Sequence, residues 1–139
     1  RNIIFLVIKF MDFQIVYYLT SIVLGTMLFF SFIVAPTTFQ VLDENFARKF
    51  IRRIFPLYYS FCLIVLGITC IIYILFSILN YEFYIILILT ILFAISLFVL
   101  MPMINKFRDN KLEKKFKVTH AISVIINLVQ MIGLVVILF

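Results

Sequence analysis

Four long apolar runs, separated by short polar segments, constrain this chain more than any other feature. A helix of about 20 apolar residues crosses a hydrocarbon core of about 30 Å. Apolar residues make up 66% of the 139 positions, and a soluble domain of this length would need a more polar surface. We therefore predict four membrane spans, at about 13–35, 57–79, 83–104 and 120–139.

The predicted fold class is all-α, an integral membrane four-helix bundle that forms one domain over residues 11–139. Residues 1–10 are also apolar, and joining them to the first run gives a stretch longer than one span requires. Met11 is a natural start, so we interpret residues 1–10 as an N-terminal extension, with three interpretations open: an upstream extension, a short interfacial segment or the tail of a removed segment. We assign them no function.

The segment between the first two runs carries an amphipathic pattern. Pro36 is expected to end the first span, because a proline disfavours helical geometry in the residue before it. Between Thr37 and Phe55, apolar residues recur at helical spacing, with polar and basic residues on the opposite side. This pattern predicts a separate amphipathic helix in the membrane interface. Its apolar face consists of Phe39, Leu42, Phe46, Phe50 and Ile54, and its polar face of Asn45, Arg48 and Arg52.

The basic residues are distributed unevenly over the three loops, with four in the first, none in the second and six in the third. Cytoplasmic loops carry the excess of Lys and Arg, so the first and third loops are predicted to be cytoplasmic and both termini outside. This distribution explains the net charge of +6 without nucleic acid as a partner. The expected partners are the lipid bilayer, anionic headgroups and either other membrane subunits or further copies of the chain. The bias toward Phe, Ile, Asn and Lys indicates a bacterial inner membrane.

The last apolar run contains a polar stripe. Its members lie within an arc of about 80° at 100° per residue, and the stripe descends roughly 15 Å along one helix face. They are His120, Ser123, Asn127 and Gln130. Polar groups at this depth face protein or a cavity. Two interpretations stay open: hydrogen bonds that hold neighbouring helices together, or a ligand, ion or proton site formed by His120, Ser123 and Asn127.

A second polar group combines Asp43 with three arginines, Arg48, Arg52 and Arg53. Asp43 projects into the apolar sector of the amphipathic segment, which is costly unless it is paired or caps a helix. The functional alternative has Asp43 reaching His120 or a cytoplasmic ligand. The arginines would then contact anionic lipid or a phosphate.

No nucleophile–base pair, phosphate loop or metal-ligand cluster is recognisable in the sequence, so nothing argues for an enzyme. Cys62 and Cys70 have neither metal-site nor disulfide spacing and are interpreted as core residues. No cofactor is predicted. The alternative is haem ligated by His120, for which the soft second ligands would be Met27, Met101, Met103 and Met131.

Several short motifs together resemble the transmembrane-protein-205-like family, a small integral membrane domain of unknown function. They are Gly25, Phe29-Phe30, Ala35-Pro36-x-x-Phe39, Arg52-x-x-Phe55-Pro56-x-Tyr58-Tyr59, Pro102 and Phe116-x-x-x-His120-x-x-Ser123-x-x-x-Asn127. This resemblance implies a four-helix membrane protein without assigned chemistry. A more distant similarity is to membrane bundles of the HemJ and CopD type, which place histidines in early spans where this chain has none.

The functional hypothesis from the sequence is a non-enzymatic accessory subunit, or a small-ligand or transport-type bundle, that uses the polar face of the last span. The alternative is a haem- or metal-handling redox membrane protein of the HemJ and CopD type.

Overall fold

The computed structural model describes the backbone of residues 2–139 and the side chains of residues 14–139, and it is helical throughout apart from short connections. The interpretation of residues 1–10 as an N-terminal extension stays a prediction, because their side chains are outside the described ones. Within this described part of the chain, four helices are long and apolar enough to cross a membrane, which confirms the predicted fold class. We name them α1 (Gln14–Val41, its backbone helical from Asn2), α2 (Glu44–Leu75), α3 (Tyr81–Asp109) and α4 (Glu113–Leu138).

Both α2 and α3 end in the same C-terminal capping motif. Ser77 and Lys111 adopt the left-handed conformation, each with a φ of 55°. The N–H group of Ile78 donates to the Tyr73 carbonyl at 2.9 Å, and Leu112 N–H donates to Phe107 at 2.9 Å. These bonds satisfy carbonyls that the end of a helix leaves unpaired and turn the chain back within a few residues. The short second and third loops follow from this capping.

The prediction that Pro36 ends the first helix is wrong. A π-helical turn, Phe30–Val34, precedes it, and α1 continues to Val41. The turn Ser96–Leu100 stands in the same position before Pro102 in α3. A proline lacks an N–H group, and its ring collides with the carbonyl four residues earlier. The extra residue in a π turn relieves that conflict, so both helices continue.

The separate amphipathic helix predicted between the first two spans is also absent from the described backbone. Its first residues complete α1, the chain breaks at Leu42 and Asp43, and the remainder forms the beginning of α2, which runs through Pro56 without interruption. Leu42 is extended, with φ −100° and ψ 141°. Aromatic packing supports the continuous helix around the proline, because Phe55 and Tyr58 both contact the ring of Phe30.

The core of the bundle consists of apolar side chains from all four helices. Fully buried examples are Val23, Met27, Cys62, Leu66, Ile86, Phe93 and Leu134. Cys62 and Cys70 are free and buried, in agreement with their interpretation as core residues. Gln130 is fully buried as well, and neither of its amide atoms has a hydrogen-bond partner among the described residues. The polar stripe of α4 therefore reaches the core at its last residue, Gln130.

At the end of the bundle that carries the second loop, a buried carboxylate joins three helices. Glu82 of α3 accepts hydrogen bonds from the hydroxyl of Tyr73 in α2 at 2.9 Å and from that of Tyr17 in α1 at 3.3 Å. Tyr81 and Asn80 add further donors at 3.3 and 3.4 Å. Glu82 is only 6% exposed. Because a buried polar group is stable only when hydrogen-bonded, this tyrosine cluster fixes how the three helices meet.

Candidate ligand-binding cavity

α1 and α4 separate at the end of the bundle that carries the basic loops. α1 packs closely on α4 through the part that ends at Phe29, whereas Phe30–Val34 and Ala35–Val41 make no comparable backbone contact with it. A cavity of about 620 Å³ lies at this separation, among all four helices. Exposed residues of both helices are part of its lining, namely Phe32 and Phe39 of α1 and Val124 and Leu128 of α4. The cavity therefore opens sideways between α1 and α4, toward what would be lipid in a membrane.

Three hydrogen-bonded side chains cross the deeper part of the cavity. The Tyr58 hydroxyl donates to Asn127 Oδ1 at 3.2 Å, and Asn127 Nδ2 donates to Ser31 Oγ at 3.1 Å. The ring of Tyr58 is stacked on that of Phe30, with centroids 4.4 Å apart. Asn127, which is half-buried, thus links α4 to both α1 and α2.

The end of the cavity nearest the basic loops is formed by ion pairs. Arg48 and Arg108 both contact Glu44 Oε1, at 2.6 and 3.1 Å. Arg52 forms a two-pronged pair with Asp109, with Nη1 3.2 Å from Oδ2 and Nη2 close to Oδ1. The Arg48–Glu44 pair lies within α2, whereas Arg108–Glu44 and Arg52–Asp109 connect the beginning of α2 to the end of α3 across the mouth of the cavity.

Aromatic rings hold one of these arginines in place. The Arg108 guanidinium lies over the Phe116 ring, 4.8 Å from its centroid. Phe116 is in turn stacked on His120, with centroids 5.8 Å apart and planes inclined by 6°. An arginine that stacks on an aromatic face keeps its donor groups in a fixed plane. The contact therefore presents Arg108 to the cavity in a defined orientation.

The structure brings most of the sequence-predicted site residues together in this cavity. Its lining includes the predicted residues His120, Ser123, Asn127, Arg48 and Arg52. Ser123 donates its hydroxyl to the His120 carbonyl at 2.7 Å, so this bond lies within α4.

Two predicted residues lie elsewhere. Asp43 occupies the N-cap position of α2, but its exposed side chain makes no capping hydrogen bond and is not part of the cavity lining. The neighbouring Glu44 lines the cavity instead. Arg53 is exposed and also outside the lining.

Sequence reasoning missed five contributors to the site. Glu44 and Arg48 are four residues apart, a spacing that indicates an ion pair on a helix. The pairs Ser31–Asn127, Tyr58–Asn127 and Arg52–Asp109 join positions 96, 69 and 57 residues apart in the chain. No local pattern encodes them. The missed residues are Ser31, Glu44, Tyr58, Arg108 and Asp109.

The chemistry of the lining is suited to binding. It combines cationic and amide groups at defined positions with aromatic and aliphatic walls. Among the side chains of residues 14–139, no three His, Cys, Asp or Glu groups lie together as a metal site would require. Of the four methionines named for haem ligation, Met101 and Met131 line the cavity together with His120.

Comparison with known proteins places the chain in a family. The family model described as Domain of unknown function (DUF4149) matches residues 18–113, more than half of the chain. The chain belongs to the DUF4149 family. The region matched to DUF4149 contains α2, α3 and most of α1, and therefore every ion pair at the mouth of the cavity.

A curated relative and the solved structures add little about chemistry. An uncharacterized protein of Aquifex aeolicus (strain VF5) is 43% identical over 51 residues, which cover 37% of this chain and 39% of the relative. The chain thus matches well under half the length of this relative. No solved structure matches the chain significantly. The comparisons identify a domain of unknown function and do not single out the transmembrane-protein-205-like, HemJ or CopD groups.

Proposed function

We propose that this protein is a non-enzymatic membrane protein that binds a small amphipathic molecule in the cavity between α1 and α4, as an accessory or transport-type bundle. The observation that carries the proposal is the sideways opening of the cavity. A molecule dissolved in the bilayer could enter there without crossing water.

The volume and lining of the cavity support this proposal. Small-molecule sites are typically concave, about 300–1,000 Å³ in volume, and mostly apolar with a few placed polar groups. The cavity has a volume of about 620 Å³, and its polar groups are concentrated at the mouth and at the Tyr58–Asn127–Ser31 chain. Asn127 has a second oxygen lone pair and a second amide hydrogen beyond its bonds to Tyr58 and Ser31, so it would orient a ligand through directed hydrogen bonds.

Blocking the cavity tests the proposal. Ser123→Trp would fill the space beside Asn127, whereas Ile125→Trp, two residues along α4, places the same ring on the exposed side of the helix. We expect native mass spectrometry of the protein released from bacterial lipid nanodiscs to show a retained small-molecule adduct. The adduct should persist in Ile125→Trp and disappear in Ser123→Trp.

Equal adduct retention in both variants would contradict binding in this cavity. An absorption spectrum of the same samples tests the alternative function. A Soret band that is lost in His120→Ala would favour a haem protein with His120 as a ligand.

We also propose that the mouth of the cavity faces the bacterial cytoplasm, because all ten loop Lys and Arg residues lie at that end. Leu79 and Asn110 are exposed in the second and third loops, whereas both native cysteines are buried. In intact cells, Leu79→Cys should react with a membrane-impermeant maleimide, and Asn110→Cys should react only after lysis. The reverse pattern would contradict the proposed orientation.

A further inference from the structure

We propose that the bound molecule is a single-chain amphiphile with an anionic head, a carboxylate or a phosphate monoester, which Arg48 and Arg108 hold at the mouth of the cavity. This inference rests on the proposed function and specifies its ligand class. Three features of the site lead to it: an unbalanced charge, an oriented donor and the size of the cavity.

The mouth carries more positive than negative charge. Among residues 14–139, three arginines and one glutamate line the cavity, and Asp109, outside the lining, pairs with Arg52. Arg48 and Arg108 share a single oxygen of Glu44. One carboxylate neutralises one guanidinium, so this pair of arginines retains a positive charge. An anionic group that entered beside them would complete the pairing.

The geometry of Arg108 favours a planar or tetrahedral oxyanion over a neutral head. Its guanidinium is stacked on Phe116, so little conformational freedom is lost when it donates to a ligand. His120 is stacked on the same Phe116 ring and also lines the cavity. Guanidinium groups match carboxylate and phosphate oxygens with two parallel hydrogen bonds. The mouth therefore selects for anionic heads.

The size of the cavity favours one alkyl chain. At about 30 Å³ per non-hydrogen atom, the liquid-water value, a volume of about 620 Å³ holds on the order of 20 such atoms. An alkyl phosphate with a twelve-carbon chain has about that many, whereas a two-chain phospholipid has more than twice as many. The chain would extend past Asn127 toward Leu100 and Met131, which also line the cavity.

Glu44 has a distinctive role in this arrangement, because it competes with the ligand for the same two arginines. Removing its charge should therefore strengthen binding, although it breaks two ion pairs. If Glu44 only stabilises the fold, removing its charge should weaken ligand binding or leave it unchanged. Glu44→Gln is thus a sensitive test of the inference.

The experiment measures the affinity of the protein in phosphatidylcholine nanodiscs for four probes that share a dodecyl chain: dodecyl phosphate, dodecanoate, dodecyltrimethylammonium and dodecyl maltoside. We expect the two anionic probes to bind at least tenfold more tightly than the other two. Arg48→Gln and Arg108→Gln should each weaken dodecyl phosphate binding about tenfold, the usual effect of losing a charged hydrogen bond. Glu44→Gln should tighten it about threefold. Arg53→Gln, an equal charge change outside the cavity, should change it less than twofold.

The outcomes separate this inference from the proposed function. If all four probes bind equally and Ser123→Trp abolishes their binding, the cavity is a binding site but the anionic class is wrong. If Ser123→Trp leaves binding unchanged, both proposals fail. Competition by nanodiscs enriched in phosphatidic acid distinguishes the sources of the anion: displacement of dodecyl phosphate would overturn the single-chain assignment, and its absence would support it.

Discussion

Glu82→Leu is expected to lower the free energy of unfolding by about 3 kcal/mol, because the substitution removes the shared acceptor of three tyrosine hydroxyls. The Tyr73 hydroxyl contributes most, since this side chain is only 1% exposed and its bond to Glu82 is the shortest of the set. A buried donor left without a partner costs about 1–3 kcal/mol. Thermal unfolding in detergent micelles, compared with wild type, measures the effect.

Glu82→Gln is the matched control. Its amide oxygen still accepts hydrogen bonds, so we expect a loss of about 1 kcal/mol or less. A Glu82→Leu protein as stable as wild type would contradict the structural role of the tyrosine cluster. That result would also mean that the free-energy cost of burying the Glu82 side chain equals the free energy gained from all the hydrogen bonds it accepts.

Gly133→Leu is expected to lower the free energy of unfolding by about 2–3 kcal/mol, because α4 approaches α3 closely at this position. A Cβ atom on Gly133 would lie 2.9 Å from Leu89 Cδ2 and 3.2 Å from Leu89 Cδ1. Leu89 is itself only 2% exposed, so it has little room to move away. Small residues permit such close approach between membrane helices. The same thermal unfolding assay measures the loss.

Gly67→Leu provides the comparison for Gly133→Leu. A Cβ at Gly67 would meet no atom of the described residues within 4 Å, apart from its own surrounding helix backbone. We expect its stability to change by less than about 0.5 kcal/mol. Equal losses in the two variants would contradict the role of Leu89, because helix propensity favours leucine over glycine at both positions and cannot cause a loss.

The helical architecture could be predicted because it follows from local properties of the chain. The length of each apolar run predicted four spanning helices. The continuation of α1 beyond Pro36 could not be predicted in the same way, since it depends on a π turn with an Ala35 N–H to Phe30 carbonyl hydrogen bond. The path of α2 through Pro56 likewise depends on packing between aromatic rings of two helices. Local proline rules describe isolated helices and omit these tertiary contacts.

The site was partly predictable for the same reason. Helical periodicity placed Ser123 and Asn127 on one face, and both line the cavity. Their partners could not be identified, because Tyr58 and Ser31 reach Asn127 only after α1, α2 and α4 pack together. The predicted spans 57–79 and 83–104 leave Glu82 in the loop between them. One of its hydrogen-bond partners in the structure, Tyr17, lies 65 positions away in the chain.

Photo-crosslinking with a dodecyl phosphate that carries a diazirine at the end of its chain tests the cavity most directly. We expect light to attach the probe to residues that line the deep part of the cavity, Leu100 and Met131, and excess unlabelled dodecyl phosphate to prevent this. Peptide mass spectrometry locates the modified positions. Labelling confined to outward-facing residues such as Ile64 and Ile125, and insensitive to competitor, would contradict a binding cavity between α1 and α4.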